Sequence, residues 1–313
     1  MANNASNITG SAAKCGQNHW QEIALSVYIY MVFHLSHVIF SLAGNSLVFR
    51  AFYKFASLRT ASNVIVVSLC AADSLIPMVY ILCVAMRLSS CHSSKFLCIV
   101  TGQACFFLLS VIILHLALIS VDRFIAVKFS LRYHSIVTFR RAVVISITAW
   151  LWVLAVTIIL PQIIKAIRDK PESLASNAFH PCFNKKAHFI KGYLVFYTIT
   201  LLFVPLVIIL SSYSYIFLVS HTHRKRIREQ NNTLKKQLRA SCTLGIIVAL
   251  CLASIIPLLV VASLRISGTS DLTIAKHVAF HVAFGLNAIC NPIIYGWRNE
   301  KFRSSLRKLL KCA

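Results

Sequence analysis

The sequence predicts an all-α membrane protein, a seven-transmembrane helix bundle with a short amphipathic C-terminal interfacial helix. Three observations predict it: an apolar composition, seven long apolar runs, and basic residues gathered on one side of those runs. Of the 313 residues, 58% are hydrophobic and 13% charged, with a mean hydropathy of +0.74. A soluble domain of this size carries about 25% charged residues. The apolar surface must therefore face lipid as well as a core.

Residues 1–22 form a polar tail without the basic-then-apolar layout of a cleaved signal peptide. Its glycosylation sequons begin at Asn4 and Asn7, which suits an extracellular tail. The first span then acts as its own insertion signal. The apolar runs cover 23–49, 61–86, 96–127, 142–164, 189–220, 240–264 and 272–296. At about 1.5 Å per residue each crosses a hydrocarbon core of roughly 30 Å. They are far longer than barrel strands and do not alternate, so they read as helices.

The loops set the orientation. Arg50, Lys54 and Arg59 follow span one, Lys128, Arg132, Arg140 and Arg141 follow span three, and a cluster from Arg224 to Arg239 follows span five. The tail adds Arg298, Lys301, Arg303, Arg307, Lys308 and Lys311. By the positive-inside rule these faces are cytoplasmic, which puts the N-terminus outside and the C-terminus inside. The seven-transmembrane domain is thus expected over 23–296 in the plasma membrane, with a cytoplasmic segment at 297–313. In that segment Phe302, Leu306, Leu309 and Leu310 share one helical face, as in a helix lying at the membrane surface. Cys312 beside it suits palmitoylation or a free thiol.

The formal charge of +24 raises nucleic acid as a partner. The basic residues, however, sit in short clusters between apolar runs, without a phosphate loop or zinc spacing. Lipid headgroups and a cytoplasmic protein fit them better. Asp73 lies mid-span in Val67-Ser68-Leu69-Cys70-Ala71-Ala72-Asp73-Ser74-Leu75, where a charge is costly and marks function.

Markers in every span then resemble one family, the rhodopsin-like (class A) G-protein-coupled receptors. They are Gly44-Asn45-Ser46; the Asp73 segment; Asp122-Arg123-Phe124, similar to Asp-Arg-Tyr; Trp150; Pro205 with Tyr213; Pro257; and Asn291-Pro292-Ile293-Ile294-Tyr295. The resemblance implies a glycoprotein receptor that binds an extracellular ligand and transduces it to a heterotrimeric G protein. In the family the arginine, here Arg123, is neutralised by Asp122 while the bundle is closed and released when span six swings out. Tyr213 and Tyr295 resemble the tyrosines that steady the open form. Cys98 and Cys182 resemble the family's bridging pair. Cys15 and Cys91 stand between a second bridge and free thiols.

The chain departs from the pattern in span six, where Ser254-Ile255-Ile256-Pro257 replaces Cys-Trp-x-Pro. No acid precedes span six to hold Arg123, which predicts appreciable basal activity. Asn45, Asp73, Asn287 and Asn291 resemble part of a sodium pocket, although Ile112 and Ala288 replace hydroxyl residues there. No cofactor is expected, with sodium at Asp73 the lesser alternative.

The expected pocket is lined by Cys105, Phe106, Leu109, Tyr197, Ile255, Leu258 and Leu259. Cys105 stands where amine receptors carry an aspartate, and Gly285 where a retinal lysine would be. Arg87, Arg265, Lys276, His277 and His281 stand at the mouth. An apolar cavity with a cationic rim suits an amphipathic anion such as a lipid acid or peptide carboxylate; the same residues also suit snorkelling toward headgroups. A seven-helix transporter or channel would show repeated halves or paired intramembrane charges, and a decoy receptor would bind without signalling. An enzyme is not expected, because no nucleophile–base set or metal cluster stands out.

Overall fold

Where no water reaches the backbone, each peptide group finds its partner within its own helix, and the apolar runs fold accordingly. The computed structural model describes residues 24–88, 95–168, 191–222 and 300–311, together with single positions between 241 and 256. Helix α1 is Ala24–Lys54, followed by a 3-10 turn at Ala56–Leu58. Helix α2 is Ala61–Leu88 and α3 is Lys95–Lys128. A short α4, Tyr133–Ile136, leads into α5, Phe139–Leu154, which continues through a π-helical segment, Ala155–Ile159, into α6, Leu160–Arg168. Helix α7, Lys191–Tyr197, likewise passes through a π-helical segment, Thr198–Phe203, into α8, Val204–Thr222. Helix α9 is Glu300–Lys311. The described residues contain no strand. Among them, Ala61–Val79, Val100–Lys128, Phe139–Ile164 and Val195–His221 are long and apolar enough to cross a membrane.

Helix α3 is the axis of the fold. It packs against α2, α5 and α8, and buries Leu108, Leu109, Ile112, Leu116 and Ile119. Helix α5 is the opposite case. Val144, Ile147, Leu151 and Trp152 stay exposed along it, as residues that face lipid do.

Prolines shape the remaining helices, and side chains from neighbouring helices repair what the prolines leave open. Pro77 lies inside α2 and has no N–H to give the Asp73 carbonyl one turn earlier. The Ser41 hydroxyl of α1 donates to that carbonyl at 3.3 Å. Before Pro161, the Leu160 N–H reaches five residues back to Ala155 O. That shift, with no N–H at Pro161, leaves the Val156 carbonyl wanting a donor. Tyr193 of α7 supplies one at 3.1 Å. The same step of five, from Val204 to Ile199 O, precedes Pro205.

The tail helix docks on the bundle rather than standing apart. Phe302 and Leu309 are buried against α1 and the turn at Leu58, while Arg303, Arg307 and Lys308 face outward. Of the apolar face expected to lie at the membrane surface, Phe302 and Leu309 are thus docked on the bundle.

Candidate functional site near the C-terminal end of α3

Asp122 and Arg123 are 4% and 6% exposed, so two opposite charges are withdrawn from water at a helix end. Such a pair persists only with its lone pairs and protons satisfied. Arg123 Nε donates to Asp122 Oδ2 at 2.9 Å, and its Nη2 donates to the same oxygen and to Ser62 Oγ. The Ser62 hydroxyl of α2 donates to Asp122 Oδ2 at 2.5 Å, and the Tyr133 hydroxyl donates to Oδ1 at 2.6 Å. Both carboxylate oxygens are therefore taken, by partners from α2, α3 and α4.

The segment between α3 and α5 brings Tyr133 there. Arg132 N–H bonds Phe129 O at 2.9 Å, and Arg141 Nη1 donates to Ile136 O at 2.8 Å. Thr138 caps α5 by accepting from the Arg141 N–H. These bonds fold the loop back so that Tyr133 is buried beneath α3. Burial first, and the charge of Asp122 second, push the Tyr133 phenol above its ordinary value. It stays protonated and can only donate to the carboxylate.

Lys128 adds a second feature beside this cage. Its ammonium lies 5.2 Å from the Phe124 ring centre and 5.5 Å from that of Phe129. Phe124 itself packs edge-on against Tyr215 of α8 at 4.9 Å. Phenylalanine in place of the family's tyrosine thus joins spans three and five through ring contacts.

Further into the membrane, Asn45 and Asp73 are fully buried, and Asn45 Nδ2 donates to Ser41 O at 3.0 Å. Ile112 is also fully buried and brings no oxygen toward a cation. Asp73 and Asn45 are then the described members of the polar set, since Asn287 and Asn291 lie outside the described residues. Trp150 donates to Ser68 Oγ at 2.9 Å, and Ser68 lies 2.9 Å from His115 Nε2. His115 Nδ1 is 2.8 Å from Val111 O, a carbonyl that can only accept. Nδ1 therefore carries the proton, and in the neutral ring Nε2 accepts from Ser68.

Toward the N-terminal end of α3, Cys105 and Leu109 are buried and Phe106 is half-buried, and Tyr197 of α7 is buried beside them. Phe106 and Tyr197 meet edge-on with ring centres 5.8 Å apart. Arg87 falls in α2 and Cys98 in α3. Asn4, Asn7, Cys15, Cys91, Cys182, Ile255, Pro257, Leu258, Leu259, Arg265, Lys276, His277, His281, Ala288, Pro292, Tyr295 and Cys312 lie outside the described residues. Ser62, Tyr133, Ser68 and Tyr193 were not singled out from sequence. Each meets its partner across helices, and no local pattern points to them.

Residues 44–295 match the 7 transmembrane receptor (rhodopsin family). The chain belongs to that family. Adenosine receptor A2b of Gallus gallus is 30% identical to the receptor over 310 residues, covering 90% of this chain and 88% of the relative. Adenosine receptor A2a of Homo sapiens is 28% identical over 307 residues, covering 90% and 72%. The resemblance read from the motifs is thereby confirmed, and with it the all-α seven-helix fold. The protein is a multi-pass membrane receptor that signals through G proteins, and not an enzyme.

Proposed function

We propose that the receptor binds a small amphipathic anion from outside and opens its cytoplasmic face to a heterotrimeric G protein. The observation that carries the coupling half is the sequestered Arg123, held by Asp122 and Ser62 with Tyr133 bracing the carboxylate. Asp122, Arg123, Phe124, Tyr213, Asn291, Pro292 and Tyr295 form the switch in this reading. The resting arrangement buries the arginine, and the opened cleft frees it to meet the G protein. A span-six acid is not needed to hold it. Asp122 beside it and Ser62 of span two hold it instead, with Tyr133 bracing the carboxylate, so ligand-free activity depends on how firmly these hold.

The apolar wall of Cys105, Phe106, Leu109 and Tyr197 supports the ligand half, and the sequence adds Arg265, Lys276, His277 and His281 as the cations expected at its mouth. Cys98 and Cys182 tie the outer loop to span three, residues 1–22 lie outside, and 297–313 lie in the cytosol. The named relatives are adenosine receptors, so adenosine belongs in the ligand panel beside lipid acids and carboxylate peptides. An anionic agonist that loses potency with Arg265→Ala and Lys276→Ala supports the rim; unchanged potency, or a response to adenosine alone, overturns it.

The coupling half is tested by nucleotide exchange on purified G protein, with the wild type beside Arg123→Ala. Loss of receptor-catalysed exchange, by more than about tenfold, is expected when an interaction unique to the open state is removed. Equal exchange from both would favour a decoy receptor that binds ligand without signalling.

A further inference from the structure

Span six can be followed through a few positions. Ser241 and Val248 are buried, Gly245 and Leu252 half-buried, and Ala249, Ala253 and Ile256 exposed. Spacings of three and four place the first four on one helical face. That face is turned to the bundle, and Gly245 meets span five on it. A Cβ at Gly245 would lie 2.9 Å from Tyr213 Cε1 and 3.2 Å from Cδ1. The Tyr213 ring thus rests on bare helix backbone.

Nothing in the backbone itself calls for glycine here. Gly245 is helical and outside the left-handed region, where alanine would be the better helix former. What alanine lacks is room. Tyr213 is also close enough to Arg123 to act on it electrostatically. One ring therefore touches the helix expected to move and lies within electrostatic reach of the arginine expected to be released.

We propose that Gly245 is the catch of the resting state: its missing side chain lets span six close onto the Tyr213 ring, and this contact sets the balance between closed and open faces. The catch rests on the reading of Arg123 and Tyr213 as the coupling switch. A methyl group at 245 meets the ring only while span six is closed. Overpacking then penalises that state alone and shifts the population toward the open one.

The test is ligand-free nucleotide exchange by purified receptor with a heterotrimeric G protein. Gly245→Ala raises it about fivefold or more, as expected when overfilling a packed contact costs about 1 kcal/mol or more in one of two states. The rise persists in a Tyr213→Phe background, where the ring remains, and vanishes in a Tyr213→Leu background, where it is gone. Spin labels at the exposed Phe217 and Ala249 report a longer distance in Gly245→Ala at rest. No rise, or an equal rise in the Tyr213→Leu background, overturns the catch. Should Gly245→Ala fail to accumulate, recovery on adding Tyr213→Leu supports the contact; failure of both places the fault in span six itself and overturns it. Arg123→Ala, run alongside, separates the two readings. Exchange that survives it sinks the switch, whereas exchange lost to it but deaf to Gly245→Ala sinks the catch alone.

Discussion

The two ends of the α3 axis use the same residue type for different ends. Near its C-terminal end Tyr133 donates to a carboxylate oxygen of Asp122. Beside its N-terminal half Tyr197 lies 3.0 Å from the Ser110 hydroxyl. The Ser110 proton goes to Phe106 O at 2.8 Å, so Tyr197 is the donor and a neutral oxygen the acceptor. Tyr193 donates to a neutral carbonyl as well. A hydrogen bond to an ionised acceptor is roughly twice as strong as one between neutral groups. More follows from the charge itself. The carboxylate that Tyr133 braces also holds Arg123, so that bond is linked to the proposed switch, whereas the bonds of Tyr193 and Tyr197 hold helices in register. What a tyrosine hydroxyl does here is decided by the charge of its partner.

The largest effect expected from this comparison comes at Asp122. Asp122→Asn breaks a buried pair while leaving Arg123 in place, a change that costs about 3–5 kcal/mol in buried settings. Ligand-free nucleotide exchange should rise at least about tenfold, and the melting temperature should fall. A stable protein with unaltered exchange would break the comparison at its inner end.

Tyr133→Phe removes a single bond to a charged group, worth about 1.5–3 kcal/mol. It should raise ligand-free exchange several-fold with little loss of folding. Because the phenol's value is raised in the folded protein, its contribution is whole below the unfolded value of about 10 and is lost only as the pH climbs beyond it. The ratio of Tyr133→Phe to wild-type exchange should therefore be flat from about pH 6 to 9. A ratio that changes in that window would assign the effect to another group.

The smallest effects belong to the outer hydroxyls. Tyr197→Phe and Tyr193→Phe each remove a neutral bond worth about 1 kcal/mol. Each should lower the melting temperature by about 2–4 °C. Ligand-free exchange should stay within about twofold of wild type, since neither bond touches the charged pair. If either variant matched Tyr133→Phe in exchange, the distinction between framework and switch hydroxyls would be lost.

How much could be read in advance differs from one element to the next. Span two was expected over 61–86, and α2 occupies Ala61–Leu88. Hydropathy is a local property, so it places helices well. Span four was expected as one plain helix. It carries instead a π-helical segment at Ala155–Ile159, because a proline at 161 shifts the hydrogen bonds before it. The Asp122-Arg123 pair was legible as a motif, but Ser62, sixty residues away in the chain, was not.

By itself the sequence determined the membrane class, the helices, the basic bias of alternate loops and the motifs that carry the family. These follow from hydropathy, charge and residue order, all written along the chain. The tertiary structure decided which groups satisfy Asp122, which hydroxyls close the carbonyls left by Pro77 and Pro161, and why residue 245 has no side chain. Those answers depend on which helix faces which, and at what depth. That arrangement is set by packing among distant segments, where a buried polar group must find a partner or unfold what buries it.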